Sequence, residues 1–533
     1  MPPVDTQGQG PYKGLSSLAS DCDTFWRDRP DLIDGAVDAP MSARGYFLFE
    51  EYAASWAEVF VRGLEMRNPS LTAPPAGVLE HLRASRPDEL TNRAWLVLYY
   101  GIVLSSLTAT ASDLQTTKLR LRANLWLAFN DTRLLMEPSD LNIQAVTFLA
   151  CHVEPFTTPS LCWMLISTAC RMLIALAVNH RLLEPGTSER RLMMFWHLNV
   201  LDKAMAFIFP WPPALHRTTV NDLPLPTLNQ ILATQPERNP GKRASSFGAH
   251  HAHQIFRLSR IMAGIWCALD EHDSELQLGQ MSKSGLDTWY KEAMRILEAA
   301  ALTETPFLDP AGAASVQHGL DYVRFQYYGA TICLTRGRAR WTEVCHDTSL
   351  KMLDLLQRLV PTTDQPYLGV TWQMLYYPWA PFLVLFGEIL SSRAGVGLEE
   401  KKQALHAMEK LPTYFNAMGA RYHEAVRLER MANATVQRAR SVVFGEVGVP
   451  GTEQVPNLPT PGMSTGTDRV TPPAIQQGDA NEQGATAHVT GSLPGAGPWL
   501  WAEMDMPVWP SELEDPFADA IFDWFAWDGQ TQT

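Results

Sequence analysis

The side chains most suited to recognition chemistry lie at the C-terminus, where aromatic rings alternate with carboxylates over residues 498–533. No Lys or Arg follows residue 469. Repulsion between carboxylates keeps such a segment solvated, so its rings stay available to a groove on a partner. The pattern predicts an activation segment that recruits transcription coactivators, and a terminal helix docked on its own domain is the alternative. The expected anchors are the rings of Trp499, Trp501, Phe522, Trp524, Phe525 and Trp527.

Acidic charge is concentrated in the same region of the chain. The 533 residues include 43 Lys and Arg against 57 Asp and Glu, a net charge of −14. Residues 1–469 hold all of the basic residues and 47 of the acidic ones, so their net charge is only −4. A nearly neutral body offers no broad basic face for phosphates. No block of Lys and Arg marks a nuclear import signal either.

The cysteines and the hydropathy of the sequence indicate the cellular compartment of the protein. The seven cysteines are scattered and odd in number, which favours buried thiols in a reducing environment. The longest apolar run, residues 161–178, carries Arg171 near its middle, where a charge is costly in a bilayer. The N-terminus has no signal-peptide pattern. We therefore expect a soluble intracellular protein with no membrane partner.

Few residue arrangements typical of catalysis occur in the sequence. It has no phosphate-binding loop, zinc-protease motif or dinucleotide fingerprint, and no Asp-rich magnesium motif. A G-x-S-x-G match at residues 462–466 lies in a stretch rich in Pro, Gly and Thr, where the strand-to-helix turn of a nucleophile elbow is not expected. We predict no catalytic residue, no metal and no cofactor, and an all-helical enzyme or small-molecule sensor is the least favoured alternative.

His250, His251 and His253 have no Cys or acid at ligand spacing and are interpreted as a solvated loop. Cys162 and Cys170 lie two turns apart on one helix, too far for a disulfide, and are assigned to the core.

The elements that must position these residues are helices. Helical periodicity dominates from about residue 45 to 444, and alternating runs are few, so the predicted fold class is all-α. Ser139 or Asp140 is expected to cap one helix, and Ser188 another. Helices are predicted at 90–107, 141–149, 161–180, 189–209, 250–272, 284–302, 314–340, 346–360, 370–392, 398–416 and 419–441.

Composition divides the chain into four parts. Residues 1–44 are an irregular N-terminal segment, and residues 45–444 are the helical domain. Residues 445–497 contain no aromatic side chain and are rich in Pro, Gly, Thr and Gln. Such a stretch cannot bury enough apolar area to offset its ordering entropy. We predict a disordered tether that holds the tail, residues 498–533, on the order of 40 Å from the body.

Three adjacent motifs over residues 169–226 carry a family resemblance. They resemble the A-x-R-M…L-G-L-H-R, E-x-R-R…W-W-x-x-x-x-L-D-R and G-R-P-x-x-I…D-x-x-x-x-L-P motifs of the fungal-specific transcription factor domain, the middle homology region of zinc-cluster regulators. Pro210-Trp211-Pro212 stands in place of G-R-P, and Lys203 in place of Arg. The matching residues, which the resemblance implies are structural, are Arg171, His180, Arg190, Arg191, Trp196 and Asp202. Asp202 on a core helix is expected to pair with Arg171 or Arg190, because buried charges need partners.

The resemblance implies an all-α, multi-helix regulatory domain that binds small effectors in a helical cavity and forms homo- or heterodimers. It implies a transcription regulator in the nucleus, here an activator because of the tail, and many such regulators serve secondary-metabolite pathways. The family's DNA reader is a zinc cluster built from six cysteines, and only Cys22 precedes residue 150. Promoter DNA is therefore expected to be reached through a partner or a missing N-terminal domain. The alternative is a co-regulator or repressor that acts through a DNA-binding partner.

Overall fold

The computed structural model describes most of the predicted helical domain. The described residues are 41–67, 74–107, 115–153, 157–176, 184–209, 211–234, 245–270, 275–360, 371–390, 397–420 and 422–445. Within these ranges the regular elements are helices and no β-strand occurs, which confirms the all-α prediction. The predicted irregular segment 1–44 lies almost entirely outside the described residues, as do His180, the tether and the tail.

The N-terminal half is a layered helical bundle. Its helices are α1 (Ala53–Arg67), α2 (Ala76–Arg83), α3 (Arg93–Ser106), α4 (Gln115–Phe129), α5 (Arg133–Met136), α6 (Asp140–His152), α7 (Pro159–Ala175) and α8 (Pro185–Ile208). Every residue of α3 from Ala94 to Leu104 is buried, because α3 packs against α1, α4 and α6 at once. A helix that is apolar all round belongs in the middle of a bundle, as its sequence predicts.

The later helices extend the same core. They are α9 (Arg217–Asp222), α10 (Leu228–Ala233), α11 (Ser246–Asp270), α12 (Glu275–Glu304), α13 (Pro310–Thr335), α14 (Thr342–Leu359), α15 (Thr371–Tyr376), α16 (Trp379–Leu390), α17 (Leu398–Met408), α18 (Lys410–Gly419) and α19 (His423–Phe444). Helices α11, α12, α13 and α14 pack on one another in chain order, and α8 packs against α11.

The short helix α15 returns the chain to the N-terminal half. It packs against α6 and α8. The Thr371 hydroxyl donates to the Cys151 carbonyl at 3.0 Å, and the Trp372 indole donates to the Thr157 hydroxyl at 3.3 Å. These bonds join residues more than 200 positions apart and satisfy buried polar groups. The chain divides into two units, Met1–Ala439 and Arg440–Thr533, and these contacts lie within the first unit.

Two predicted helix starts had different outcomes. The Ser139 hydroxyl accepts the Asn142 amide at 3.1 Å, which confirms the predicted cap of α6. Ser188 was wrongly assigned as a cap, because α8 already begins at Pro185 and the Ser188 amide donates to the Glu184 carbonyl. Proline is tolerated in the first helical turn, where its missing N–H would have no intrahelical partner.

Two helices predicted as continuous are each divided in two. The segment 370–392 forms α15 and α16, and Pro378, which has no N–H to donate, stands between them. The segment 398–416 forms α17 and α18, with Glu409 between them. Helix α19 ends at Phe444, while the boundaries of the flanking segments stay predictions.

Candidate functional site

Helix α8 carries most of the motif residues that the sequence singled out. Residues Arg190, Arg191, Trp196 and Asp202 project from it toward α6, α9 and the proline-rich loop of residues 211–216. We call these four residues and Lys203 the α8 cluster. Asp202 and Lys203 bind the proline-rich loop, Arg190 and Arg191 bind the start of α6, and Trp196 binds the segment after α9.

Asp202 and Lys203 form a buried ion pair toward the C-terminal end of α8. Their side chains are each 1% exposed, and the Lys203 ammonium donates to Asp202 Oδ2 at 2.7 Å. The same ammonium donates to the Leu215 carbonyl at 2.7 Å. Asp202 accepts the amides of Ala214 at 2.7 Å and of Leu215 at 3.0 Å. Both the carboxylate and the ammonium of the pair therefore bind the proline-rich loop and hold it against α8.

This arrangement corrects the expected partner of Asp202. Arg171 is exposed on α7, and Arg190 pairs with Asp140. The expectation considered only arginines of the motifs, whereas the adjacent Lys203 reaches the same carboxylate. A buried carboxylate with a cation and two amide donors has the partners that desolvation requires.

The two arginines near the start of α8 share one carboxylate. Arg191 Nε donates to Asp140 Oδ1 at 3.1 Å, and Arg190 Nε donates to Asp140 Oδ2 at 3.2 Å. Arg191 also donates to the Leu176 carbonyl, at the C-terminal cap of α7, at 2.6 Å. Because Asp140 is the first residue of α6, Arg191 connects the start of one helix to the end of another. Asp140 was expected only as a candidate cap of α6, and its pairing with the two arginines was not predicted.

Trp196 lies in the middle of α8 and holds the segment after α9. Its side chain is buried, and its indole N–H donates to the Pro224 carbonyl at 2.8 Å. The Arg260 guanidinium of α11 stands 4.8 Å from the centre of the Trp196 ring and donates to the Leu223 carbonyl at 2.6 Å. Arg260 has no signal in the motifs and was missed, because only tertiary packing brings it over the indole.

The histidine cluster was wrongly assigned to a loop. His250, His251 and His253 lie in the first half of α11, and the His251 ring lies against Phe247 of the same helix and Tyr322 of α13. Burial lowers the pKa of His251 to about 4, so this imidazole is neutral at physiological pH. Within the described ranges no group of three or more His, Cys, Asp or Glu side chains has the arrangement of a metal site.

The cysteines of α7 lie in the core, as predicted. Cys162 and Cys170 are fully buried, and Cys162 Sγ lies 3.8 Å from Met205 Sδ of α8. Burial raises the pKa of both thiols, which keeps them protonated and poorly reactive. Cys345 is also buried, and its neighbour His346 pairs with Glu388.

The α8 cluster therefore performs a positioning task. Its charges and its indole connect α8 with α6, α7, α9 and α11 through groups that are already hydrogen-bonded. These contacts fix the positions of the helices around α8, which is a structural role. Among the described helices, none is long and apolar enough to cross a membrane.

Comparisons with known proteins agree with the motifs. The model of the fungal specific transcription factor domain matches residues 83–298, which include the whole α8 cluster. A transcriptional regulator of Claviceps purpurea (strain 20.1) is 35% identical over 494 residues, 91% of this chain and 77% of that protein. An uncharacterized transcriptional regulatory protein of Schizosaccharomyces pombe is 28% identical over 126 residues, 23% of this chain and 20% of that protein. No solved structure matches the chain.

The chain belongs to the fungal-specific transcription factor family. The names of its relatives are those of transcription regulators, a class of protein that is not usually enzymatic. Four of the motif residues, Arg190, Arg191, Trp196 and Asp202, belong to the α8 cluster.

Proposed function

We propose that this protein activates transcription in the nucleus, with residues 45–444 as its regulatory body and residues 498–533 as its activation segment. The pathway proposed from the family resemblance is a secondary-metabolite pathway. The body decides when the protein acts and with which copy or partner it assembles. The tail recruits the coactivator machinery.

The composition of the tail carries this proposal. From residue 470 to the end the chain has ten carboxylates and no Lys or Arg, and the aromatic rings stand between the acids. Phe522 and Phe525 are three residues apart, as are Trp524 and Trp527, so a helix formed on a target would place each pair on neighbouring turns. Each ring can bury a large apolar face in a coactivator groove, whereas a single exposed charge contributes little.

A reporter assay tests the activation segment directly. Residues 498–533 are fused to an unrelated DNA-binding domain and expected to activate the reporter. Replacing Phe522, Trp524, Phe525 and Trp527 together by Ala is expected to abolish that activity. The matched controls, Asp519→Asn and Asp528→Asn, are expected to retain most of it, because each removes only one screened charge. A silent fusion, or a quadruple Ala variant as active as the parent, contradicts the proposal and favours a docked terminal helix.

A second part of the proposal concerns DNA. We propose that promoter DNA is reached through a partner protein or through a zinc-cluster domain outside this sequence, because only Cys22 precedes residue 150. The purified chain is then expected to bind no zinc stoichiometrically and to bind DNA weakly in a gel shift. Tight, sequence-selective binding that survives moderate salt contradicts this part, since contacts to phosphates alone fade steeply as salt rises.

A further inference from the structure

The turn between α13 and α14 carries two arginines whose guanidinium groups lie near the indole ring of Trp341. The guanidinium groups of Arg338 and Arg340 stand 5.8 Å and 5.5 Å from the centre of the Trp341 ring. Arg338 donates to the Leu334 carbonyl and Arg340 donates to Gln280 Oε1 of α12 at 2.9 Å. Neither arginine has an ion pair with a carboxylate of the described residues. We call Arg338, Arg340 and Trp341 the arginine–tryptophan corner.

The corner continues into the surface between α12 and α13. Positions 280, 283, 287 and 290 of α12 are three or four residues apart and lie on one stripe of that helix. Lys283 lies 5.7 Å from the centre of the Tyr327 ring of α13, and the Tyr327 hydroxyl donates to Asp287 at 2.7 Å. Tyr290 stacks on Tyr327 with ring centres 3.9 Å apart and planes 9° apart. We call this strip, from Gln280 to Tyr290 with Tyr327, the α12–α13 seam.

Apolar side chains border the corner. Met281, next to Gln280, is 65% exposed. Val344, one helical turn after Trp341, is 39% exposed. Trp341, Tyr290 and Tyr327 are each partly exposed. Tyr, Trp, Arg and Met are the residue types that concentrate in protein interfaces and carry most of their binding energy.

We propose that the corner and the seam form a docking surface for an acidic peptide that also carries bulky apolar side chains. The two arginines without carboxylate partners would pair with its acids. Met281, Val344 and the exposed edges of the rings would bury its apolar groups. The inference goes beyond the proposed activation function, because the surface belongs to the helical body and not to the tail.

A nucleic acid fits this surface less well than a peptide. Lys283 of the seam already pairs with Asp287, so the seam adds no open cation to the two arginines of the corner. Two cations suit a short run of acids better than a long row of phosphates. Exposed Met281 and Val344 would gain nothing from contact with a phosphate backbone.

The test measures binding of a fluorescein-labelled synthetic peptide of Asp, Phe and Leu to the full chain by anisotropy. The variant Arg338→Gln with Arg340→Gln is expected to weaken binding about tenfold or more, as interface arginines do. The matched control, Arg62→Gln with Arg217→Gln, removes the same charge from exposed positions of α1 and α9 and is expected to change binding less than about twofold. Equal weakening by both pairs overturns the proposal.

A second pair of variants tests the apolar part of the surface. Met281→Ser with Val344→Ser is expected to weaken binding, whereas Met136→Ser, at a 77% exposed position of α5, is expected to leave it unchanged. Exposed positions leave the fold intact, which unchanged helical circular dichroism would verify. A peptide with Asn in place of Asp, or Ala in place of Phe and Leu, that binds as tightly as the parent overturns the proposal. So does duplex DNA that binds more tightly than the peptide with the same dependence on Arg338 and Arg340.

Discussion

Lys203 donates to the carboxylate of Asp202, its neighbour in sequence, and both side chains are only 1% exposed. Residues adjacent on a helix point about 100° apart and do not normally face each other. Here the proline-rich loop lies against both of them, since Asp202 accepts two of its amides and Lys203 donates to one of its carbonyls. The pair therefore joins α8 to the loop. Its two residues make different contacts with the loop, so we expect their replacement to lower stability by different amounts.

We expect Asp202→Ala to destabilise the protein by about 3–5 kcal/mol, because it leaves a buried ammonium whose remaining partner is a carbonyl. Lys203→Met is expected to cost less, since the carboxylate keeps the amides of Ala214 and Leu215. Urea unfolding followed by circular dichroism measures both. Equal urea midpoints of unfolding for the two variants would contradict this difference, because they would show that the amides of Ala214 and Leu215 do not stabilise the Asp202 carboxylate.

Arg190 and Arg191 are a matched pair on the same carboxylate. Arg191 is 15% exposed and has a second bond to the Leu176 carbonyl, while Arg190 is 39% exposed. We expect Arg191→Ala to cost about 2–3 kcal/mol, the range of a charge-assisted bond that is partly buried. Arg190→Ala is expected to cost less than about 1 kcal/mol, because solvent screens it. The free energies of unfolding of the two variants decide this, and a larger loss at Arg190 would contradict it.

Gly329 on α13 lies directly under the ring of Tyr377. A Cβ atom at this position would stand 2.2 Å from Tyr377 Cε1, and Tyr377 is 1% exposed, so the ring has no room to move away. We expect Gly329→Ala to destabilise by about 1–3 kcal/mol through overpacking. Gly264→Ala on α11 is the control, because no atom lies within 4 Å of the added methyl group. The free energy of unfolding of that variant is expected to rise by up to about 1 kcal/mol, because alanine has a higher helix propensity than glycine. Thermal unfolding distinguishes the two signs.

Two histidines are expected to give stability opposite dependences on pH. Burial lowers the pKa of His251 to about 4 from its ordinary 6.5. Its contribution is present above pH 6.5 and is lost as pH falls toward 4, by up to about 3 kcal/mol. The hydrogen bond with Glu388 raises the pKa of His346, with Asp347 and Glu400 also nearby. Its contribution is present below pH 6.5 and is lost as pH rises through the raised pKa.

Variants separate these two effects. His251→Phe is expected to reduce, and not to abolish, the loss of unfolding free energy between pH 6.5 and 4 that the parent shows, because burial lowers the pKa of His197 to about 4 as well. His346→Gln is expected to remove a loss of stability that the parent shows above pH 6.5. The measurement is a series of urea unfolding curves across pH. Parallel pH profiles for the parent and a variant would exclude the corresponding histidine as the titrating group.

Much of the fold could be predicted from local sequence. Helical periodicity predicted the all-α class, and the Pro-Ser-Asp start of α6 predicted a cap at Ser139 or Asp140, of which Ser139 is the cap. Caps and apolar stripes depend on residues only a few positions apart. The prediction was wrong where two local signals competed. Ser188 was assigned as the cap of a helix starting at residue 189, although Pro185 is also compatible with the first turn of a helix.

The sequence by itself determined the family and the helical class, and it singled out Arg190, Arg191, Trp196 and Asp202 of α8. Only the tertiary structure decided what those residues contact: Asp202 pairs with Lys203, Arg191 with Asp140 and the end of α7, and Trp196 with Arg260. It also brought Gln280 of α12 to Arg340 after α13. Periodicity assigns a residue to a face of a helix, but partners from distant segments follow from how helices cross and where loops return, which no local pattern encodes.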